Sequence, residues 1–253
     1  MKISVCGKGG SGKSTVVSLL AGAAQVRGLK TLVIDSDESN SGLFRMLGFK
    51  DPPVPLMELV GGKKSLKEKM SQSDVLTETK ISIKNIPPQY ICKKDGLMLV
   101  SIGKILQALE GCACPMGVLS REFLKKLHLD ENEIAIVDME AGIEHFGRGL
   151  DAEIDNLVLV VEPSFESITL AEKIRSLAKE MQKNLWAVLN KISSESLASR
   201  LKDELEKREI VAIGVIPYDE AVFNAGLEGN SISQGQSTPQ TEKILDFLLS
   251  KTT

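Results

Sequence analysis

At 253 residues the chain is long enough to bury a sizeable core without disulfide or metal staples. It is 42% hydrophobic and 26% charged, as expected of a soluble globular protein. A net charge of −3 and a pI near 5.6 argue against partners that need a basic surface, so neither nucleic acid nor an anionic membrane is expected.

Met1-Lys2 leads directly into "ISVCG", which glycine interrupts too soon for the apolar core of a signal peptide. No apolar run approaches the roughly 18 residues that would span a bilayer. The expected location is therefore the cytoplasm, with Cys6, Cys92, Cys112 and Cys114 reduced. Any function of these thiols is then metal or redox chemistry.

In chain order, near-continuous Val/Ile/Leu runs predict strands at 2–7, 30–37, 96–103, 133–139, 156–163, 185–192 and 210–217. Amphipathic stretches between them predict helices at 13–28, 167–181 and 194–208, one beginning near Met116, and a last one at 239–251. Strand–helix alternation of this kind predicts an α/β fold, a doubly wound and mostly parallel sheet with ligands at the carboxyl ends of its strands. Two stretches break the pattern. Residues 49–95 are proline-rich, carry the run "GGKKSLKEK" and show only a weak strand signal in "KISIKNI"; they read as an irregular insertion with a small hairpin or mobile segment. Residues 228–238 read as a loop. No internal repeat or linker is evident, so 1–253 is expected to form one domain.

"GKGGSGKST" at 7–15 satisfies G-x-x-x-x-G-K-[ST] through Gly7, Gly12, Lys13 and Ser14, between a strand and a helix. Glycines here, including Gly9 and Gly10 around Ser11, let successive backbone N–H groups turn inward to phosphate. Lys13 is placed to reach the β- and γ-phosphates, Ser14 to hold Mg²⁺ and Thr15 to bond the α-phosphate. The phosphate-loop NTPase assignment rests on this motif.

Lys8, directly after the first glycine, makes the loop "GKGGxGK[ST]", which resembles the MinD/ParA class of ATPases. That resemblance implies a nucleotide-dependent homodimer in which Lys8 reaches the partner's nucleotide, in the manner of an arginine finger. Asp138 in "IAIVDMEAG" matches the outer-sphere Mg²⁺ carboxylate, with the Gly142 N–H facing the γ-phosphate. Asp37 in "VIDSDESN" matches an aspartate that orients or deprotonates the attacking water, whereas Asp35 reads as structural. Asn190 and Lys191 in "LNKI", with Pro217 and Asp219 in "IPYD", resemble adenine-contacting segments, so ATP and ADP are the implied nucleotides. On their own these pairs are common turn chemistry.

"GCACPMG" at 111–117 places Cys112 and Cys114 two residues apart in a Gly/Pro-flanked loop. In extended chain, side chains at i and i+2 share a face. A twofold dimer would bring two such pairs together as four sulfurs, suited to Zn²⁺ if tetrahedral and Ni²⁺ if square-planar. Two small buried hydrophobes are the plainer alternative. Cys6 reads as core and Cys92 as a surface or half-buried thiol. His128 and His145 read as structural.

The phosphate loop, "DMEAGIEHFGRG", the C-x-C loop and "IPYD" together resemble the CooC group of nickel-insertion ATPases. That likeness implies delivery of nickel to a client metalloenzyme, carbon monoxide dehydrogenase, through Cys112 and Cys114. A positioning or partition ATPase and an iron–sulfur electron-transfer ATPase are the alternatives. Against the first, the C-terminal helix mixes Ile244, Leu245, Leu248 and Leu249 with both signs of charge, and so is expected to dock on the domain. Against the second, the chain has no cysteine at 138–149.

Overall fold

The computed structural model describes residues 1–39, 42–69, 74–104, 114–143, 146, 149, 153–232 and 238–251. All seven predicted strands form: β1 (Lys2–Gly7), β2 (Lys30–Asp35), β5 (Leu97–Ser101), β7 (Glu133–Asp138), β8 (Asn156–Val161), β9 (Asn184–Ile192) and β10 (Val211–Pro217). With β4 (Cys92–Lys94) they make an eight-stranded sheet in the order β10-β9-β8-β1-β7-β2-β5-β4. Every pairing is parallel except β4 with β5. That pair is a hairpin turned by Asp95-Gly96, both at positive φ (49° and 81°), the conformation that matches the twist of two antiparallel strands.

The helices are α1 (Lys13–Val26), α2 (Leu43–Met46), α3 (Leu56–Leu59), α4 (Gly62–Lys69), α5 (Cys114–Lys126), α6 (Phe165–Glu180), α7 (Glu195–Glu206), α8 (Glu220–Glu228) and α9 (Thr238–Ser250). Side chains alternate across each strand, so both sheet faces need cover. Leu32 and Ile34 of β2 pack in one core with Leu119 and Phe123 of α5, Ile174 of α6 and Leu201 of α7. Val33, between them, packs in the other core with Leu20 of α1, Phe44 of α2 and Leu245 of α9. Helix α9 is docked as the sequence suggests: Ile244, Leu245 and Leu248 are fully buried, and Phe247 meets Trp186 edge-on at 4.9 Å.

The 49–95 segment differs from its sequence reading. "KISIKNI" makes no hairpin of its own. Ile81–Ser82 forms a two-residue strand, β3, parallel to β6 (Leu127–His128), and the chain then turns through a 3-10 helix at Ile83–Asn85. Among the described residues the one hairpin, β4–β5, straddles the end of the segment. Helices α3 and α4 form where no helix was expected; Gly61 and Gly62, at φ 93° and 79°, turn the chain between them. Leu56, Leu66, Leu76, Ile81, Ile83 and Ile86 are all buried in the core shared with α5. The apolar residues are spaced for packing on α5, not for strand alternation, which is why periodicity missed them.

Glu122 of α5 fastens this segment. Its carboxylate accepts from the Val75 and Leu76 N–H groups, each at 2.8 Å, and from Lys126 Nζ at 2.8 Å. Burial alone would raise the carboxyl, but Lys126 and the two N–H groups outweigh it and hold the group below its ordinary 4.5. A depressed pKa contributes stability above the unfolded value that is lost as pH falls through the folded one. Glu122→Ala is therefore expected to cost about 2–4 kcal/mol at neutral pH, because it strands two N–H groups and removes the nearer carboxylate from Lys126, which keeps the Leu76 carbonyl oxygen and Asp74. The cost should shrink below pH 4.5. Denaturant titrations at the two pH values check this.

Candidate functional site

The loops that follow β1, β2, β7, β8 and β9 meet at the carboxyl edge of the sheet, around the turn from β1 into α1. Two glycines of that turn are forced by close approach. A Cβ on Gly7 (φ 148°) would stand 2.7 Å from the Val160 carbonyl oxygen, and one on Gly12 (φ 93°) 2.3 Å from Asn190 Nδ2. Gly12 caps α1 without a side-chain hydrogen bond, and the first turn of α1 holds no acidic residue. By contrast Ser164, Ser194 and Asp219 cap α6, α7 and α8 through their side chains, each followed by a first-turn glutamate. The α1 terminus is the one left uncapped among these four, and its N–H groups and dipole suit an external anion.

Lys13 is buried, with Nζ 3.5 Å from the Lys8 carbonyl oxygen, at the long limit of a hydrogen bond. Ser14 Oγ donates to Asp138 Oδ2 at 2.6 Å. Asp138 is wholly buried, and its Oδ1 has no hydrogen-bond partner among the described residues; neither does Ser11 Oγ. Burial, then the charge of Asp35, pushes the Asp138 carboxyl up to about 7. Asp35 is its register neighbour across β2–β7, itself raised to about 6 by burial against the opposing pull of Lys104. An orphaned carboxylate oxygen beside a serine hydroxyl is a hard-oxygen donor set of the kind Mg²⁺ takes.

Asp37 lies two residues beyond the end of β2 and is buried; its Oδ1 accepts from Ser39 N (2.9 Å) and Ser39 Oγ (2.7 Å). Gly142, at φ 98°, donates its N–H to the Gly7 carbonyl oxygen at 3.3 Å, which places the chain after β7 against the phosphate loop. Gly9 borders the same segment, 3.7 Å from Ala141 Cβ to its own ideal Cβ position.

Lys8 is engaged within its own chain. Its Nζ bonds Glu162 Oε1 at 2.7 Å, and the contact raises the lysine above its ordinary value. Lys191 bonds the other oxygen of Glu162 at 3.1 Å and also donates to the Gly10 carbonyl oxygen. Burial raises the Glu162 carboxyl, yet Lys8 and Lys191 together leave it below its usual range. Asn190 donates to the Ser11 carbonyl oxygen at 2.9 Å. "LNKI" therefore buttresses the phosphate loop, in addition to facing a cavity of about 280 Å³ that Thr15, Ile216, Pro217 and Phe223 also line. Asp219 caps α8 at the rim of that cavity, accepting from the Ala221 and Val222 N–H groups. A mostly apolar slot of this size fits a planar heterocycle.

Glu162 and Lys104 are the site residues that sequence reading missed. The only available signal was position: Glu162 falls at the end of the predicted strand 156–163, at the same sheet edge as Asp138.

Cys112 and His145 lie outside the described residues, as does the side chain of Cys114, which begins α5. Of the other thiols, Cys6 is buried in β1, and Cys92 is half-buried with Sγ 3.4 Å from the Asp51 carbonyl oxygen. His128 is exposed on β6. Among the described residues no group of three His, Cys, Asp or Glu side chains could hold a metal ion, and no helix is long and apolar enough to cross a membrane.

The CobQ/CobB/MinD/ParA nucleotide binding domain profile matches residues 3–232. The chain belongs to this family. It is 43% identical over 238 residues to an uncharacterized ATP-binding protein of Methanocaldococcus jannaschii, covering 92% of this chain and 94% of that one. It is also 32% identical over 236 residues to the carbon monoxide dehydrogenase accessory protein CooC of Rhodospirillum rubrum, covering 91% and 89%. The cell division ATPase MinD of Pyrococcus furiosus superposes with a TM-score of 0.70 at 21% identity, over 98% of each chain. The fold is thus that of MinD, and the protein is a phosphate-loop ATPase of the CobQ/CobB/MinD/ParA family.

Proposed function

We propose that the protein is an ATP-driven metallochaperone. Two protomers close around ATP, bind a soft cation, nickel foremost and zinc as the other candidate, through Cys112 and Cys114 of each, and release it to a client metalloenzyme on hydrolysis. The observation that carries this reading is the Cys-x-Cys pair in a chain 32% identical, nearly end to end, to a carbon monoxide dehydrogenase accessory protein. A dehydrogenase of that type is accordingly the proposed client.

In this reading Lys13 and the N–H groups of residues 9–15 hold the triphosphate, and Thr15 takes the α-phosphate. Asn190, Lys191, Pro217 and Asp219 border the slot for adenine. Mg²⁺, held by Ser14 with Asp138 behind it, would neutralise charge on the β- and γ-phosphate oxygens. Asp37 accepts a hydrogen bond from the attacking water and directs it in line, and the Gly142 N–H leaves the Gly7 carbonyl oxygen to face the γ-phosphate. Lys8 leaves Glu162 to contact the partner's nucleotide. Lys8 is one-third exposed, and ion pairs open to water are weak, so Glu162 holds it only lightly.

A positioning ATPase would need a free, basic amphipathic helix for a membrane. The burial of α9 on the sheet argues against that use of this helix.

The test is sizing with metal stoichiometry, with and without a nonhydrolysable ATP analogue. The expected result is one nickel or zinc per analogue-bound dimer. Cys112→Ala/Cys114→Ala should lose the metal and keep nucleotide affinity. Metal retained by that double variant would sink the proposal.

A further inference from the structure

The stretch that carries both cysteines runs from Lys104, just past β5, to the first turn of α5. Both of its described ends are tied to the chain that follows β2. Lys104 Nζ bonds the two carboxylate oxygens of Asp35 at 2.7 Å each and also donates to the Asp37 carbonyl oxygen. This lysine is 13% exposed and Asp35 7%, so the pair is largely removed from water. On the helix side, Ser120 Oγ of α5 lies 3.0 Å from Ser36 Oγ, and Ser120 is fully buried. Met116 of α5 packs so closely on Gly103 that a Cβ there would meet its Sδ at 2.4 Å. Residues 35, 36 and 37 thus hold Lys104 and α5 from three successive positions.

The same three residues adjoin the phosphate site. Asp35 is the register neighbour of Asp138, whose carboxylate takes the Ser14 hydroxyl. Asp35 and Asp138 are adjacent buried carboxylates; burial raises both, and the charge of Asp35 raises Asp138 further. Lys104 is the cation bonded to Asp35. A triphosphate and dication arriving at Ser14 change the field at this pair at short range and low dielectric, where charge effects are large. Asp37 adds a mechanical link: any turn of its backbone toward the γ-phosphate must move the carbonyl that Lys104 holds.

We infer that Lys104 is a positioning residue that transmits occupancy of the phosphate site to α5, with Ser36–Ser120 as a parallel contact. Its consequence for the cysteines rests on the metal-delivery reading; its consequence for α5 does not. Coupling of two sites needs a physical element that both bias, and these contacts supply one.

Amide hydrogen exchange across residues 116–126, with and without Mg²⁺ and a nonhydrolysable ATP analogue, tests it. In the unmodified protein the analogue should change exchange in α5 by about fivefold or more. Lys104→Gln should reduce that response to under about twofold while the analogue still binds, and Lys104→Arg should restore it. Ser120→Ala should remove part of it. Lys104→Gln strands a buried carboxylate and destabilises the chain; Asp35→Asn/Lys104→Gln removes both charges together and should fold but remain uncoupled. An α5 that does not respond in the unmodified protein, or that responds undiminished in both glutamine variants, overturns the inference. Zinc titrations on the same samples separate the two ideas: coupled exchange with no zinc bound by any sample would end the metal reading and leave the role of Lys104 standing.

Discussion

Lys8→Ala is expected to lower ATP turnover by about 10³-fold or more, the scale on which a charge supplied across an interface acts in phosphoryl transfer. Nucleotide affinity of the single protomer should change little. The reasoning starts from where the lysine sits. Lys13 is buried beside the phosphate loop, whereas Lys8 is one-third exposed and turned to Glu162, 2.7 Å away. A lysine in that place adds nothing to phosphates bound in its own protomer unless it is released. Its contribution therefore appears when a second copy presents its nucleotide. Turnover per protomer should rise with protein concentration in the unmodified chain and stay flat in the variant. Lys13→Ala gives the contrast, since it should weaken nucleotide binding as well. A Lys8→Ala protein with undiminished turnover and concentration dependence would show that the lysine serves only as the partner of Glu162.

The contrast between these two lysines also shows what sequence can disclose. Lys13 was placed by a motif whose geometry lies within nine consecutive residues, and its surroundings agree. The partner of Lys8 is 154 residues away, and that of Lys104 69 away, so no local pattern pairs them. The seven long strands were legible because a parallel strand covered on both faces has to be largely apolar, as β8 is: all six of its residues are buried, and five of them, Leu157–Val161, are apolar. β3 was not legible, because two residues fix no period. The 49–95 segment reads as irregular for a related reason. Its leucines and isoleucines answer to α5, and its Leu76 and Val75 N–H groups to the carboxylate of Glu122, which lies 46 and 47 residues downstream of them.

Asp138→Asn should move activity and stability in opposite directions. Asp138 is fully buried, shares the end of the sheet with Asp35, and leaves Oδ1 without a hydrogen-bond partner among the described residues. A charge so placed is costly, and burial together with Asp35 raises its carboxyl to about 7. Asparagine has nearly the same shape, carries no charge and still accepts from Ser14, so the nucleotide-free protein is expected to gain about 1–3 kcal/mol in EDTA at neutral pH. Turnover should fall by about 10²–10³-fold, as when a group aimed at developing charge is lost. Mg²⁺ should then raise nucleotide affinity far less than in the unmodified chain. Denaturant titration, turnover and nucleotide binding with and without Mg²⁺ give the three readouts. Lower stability with activity intact would mean that the Asp138–Ser14 contact is an ordinary structural hydrogen bond. Higher stability with activity lost would mean that the orphaned oxygen is strain the fold retains for its substrate.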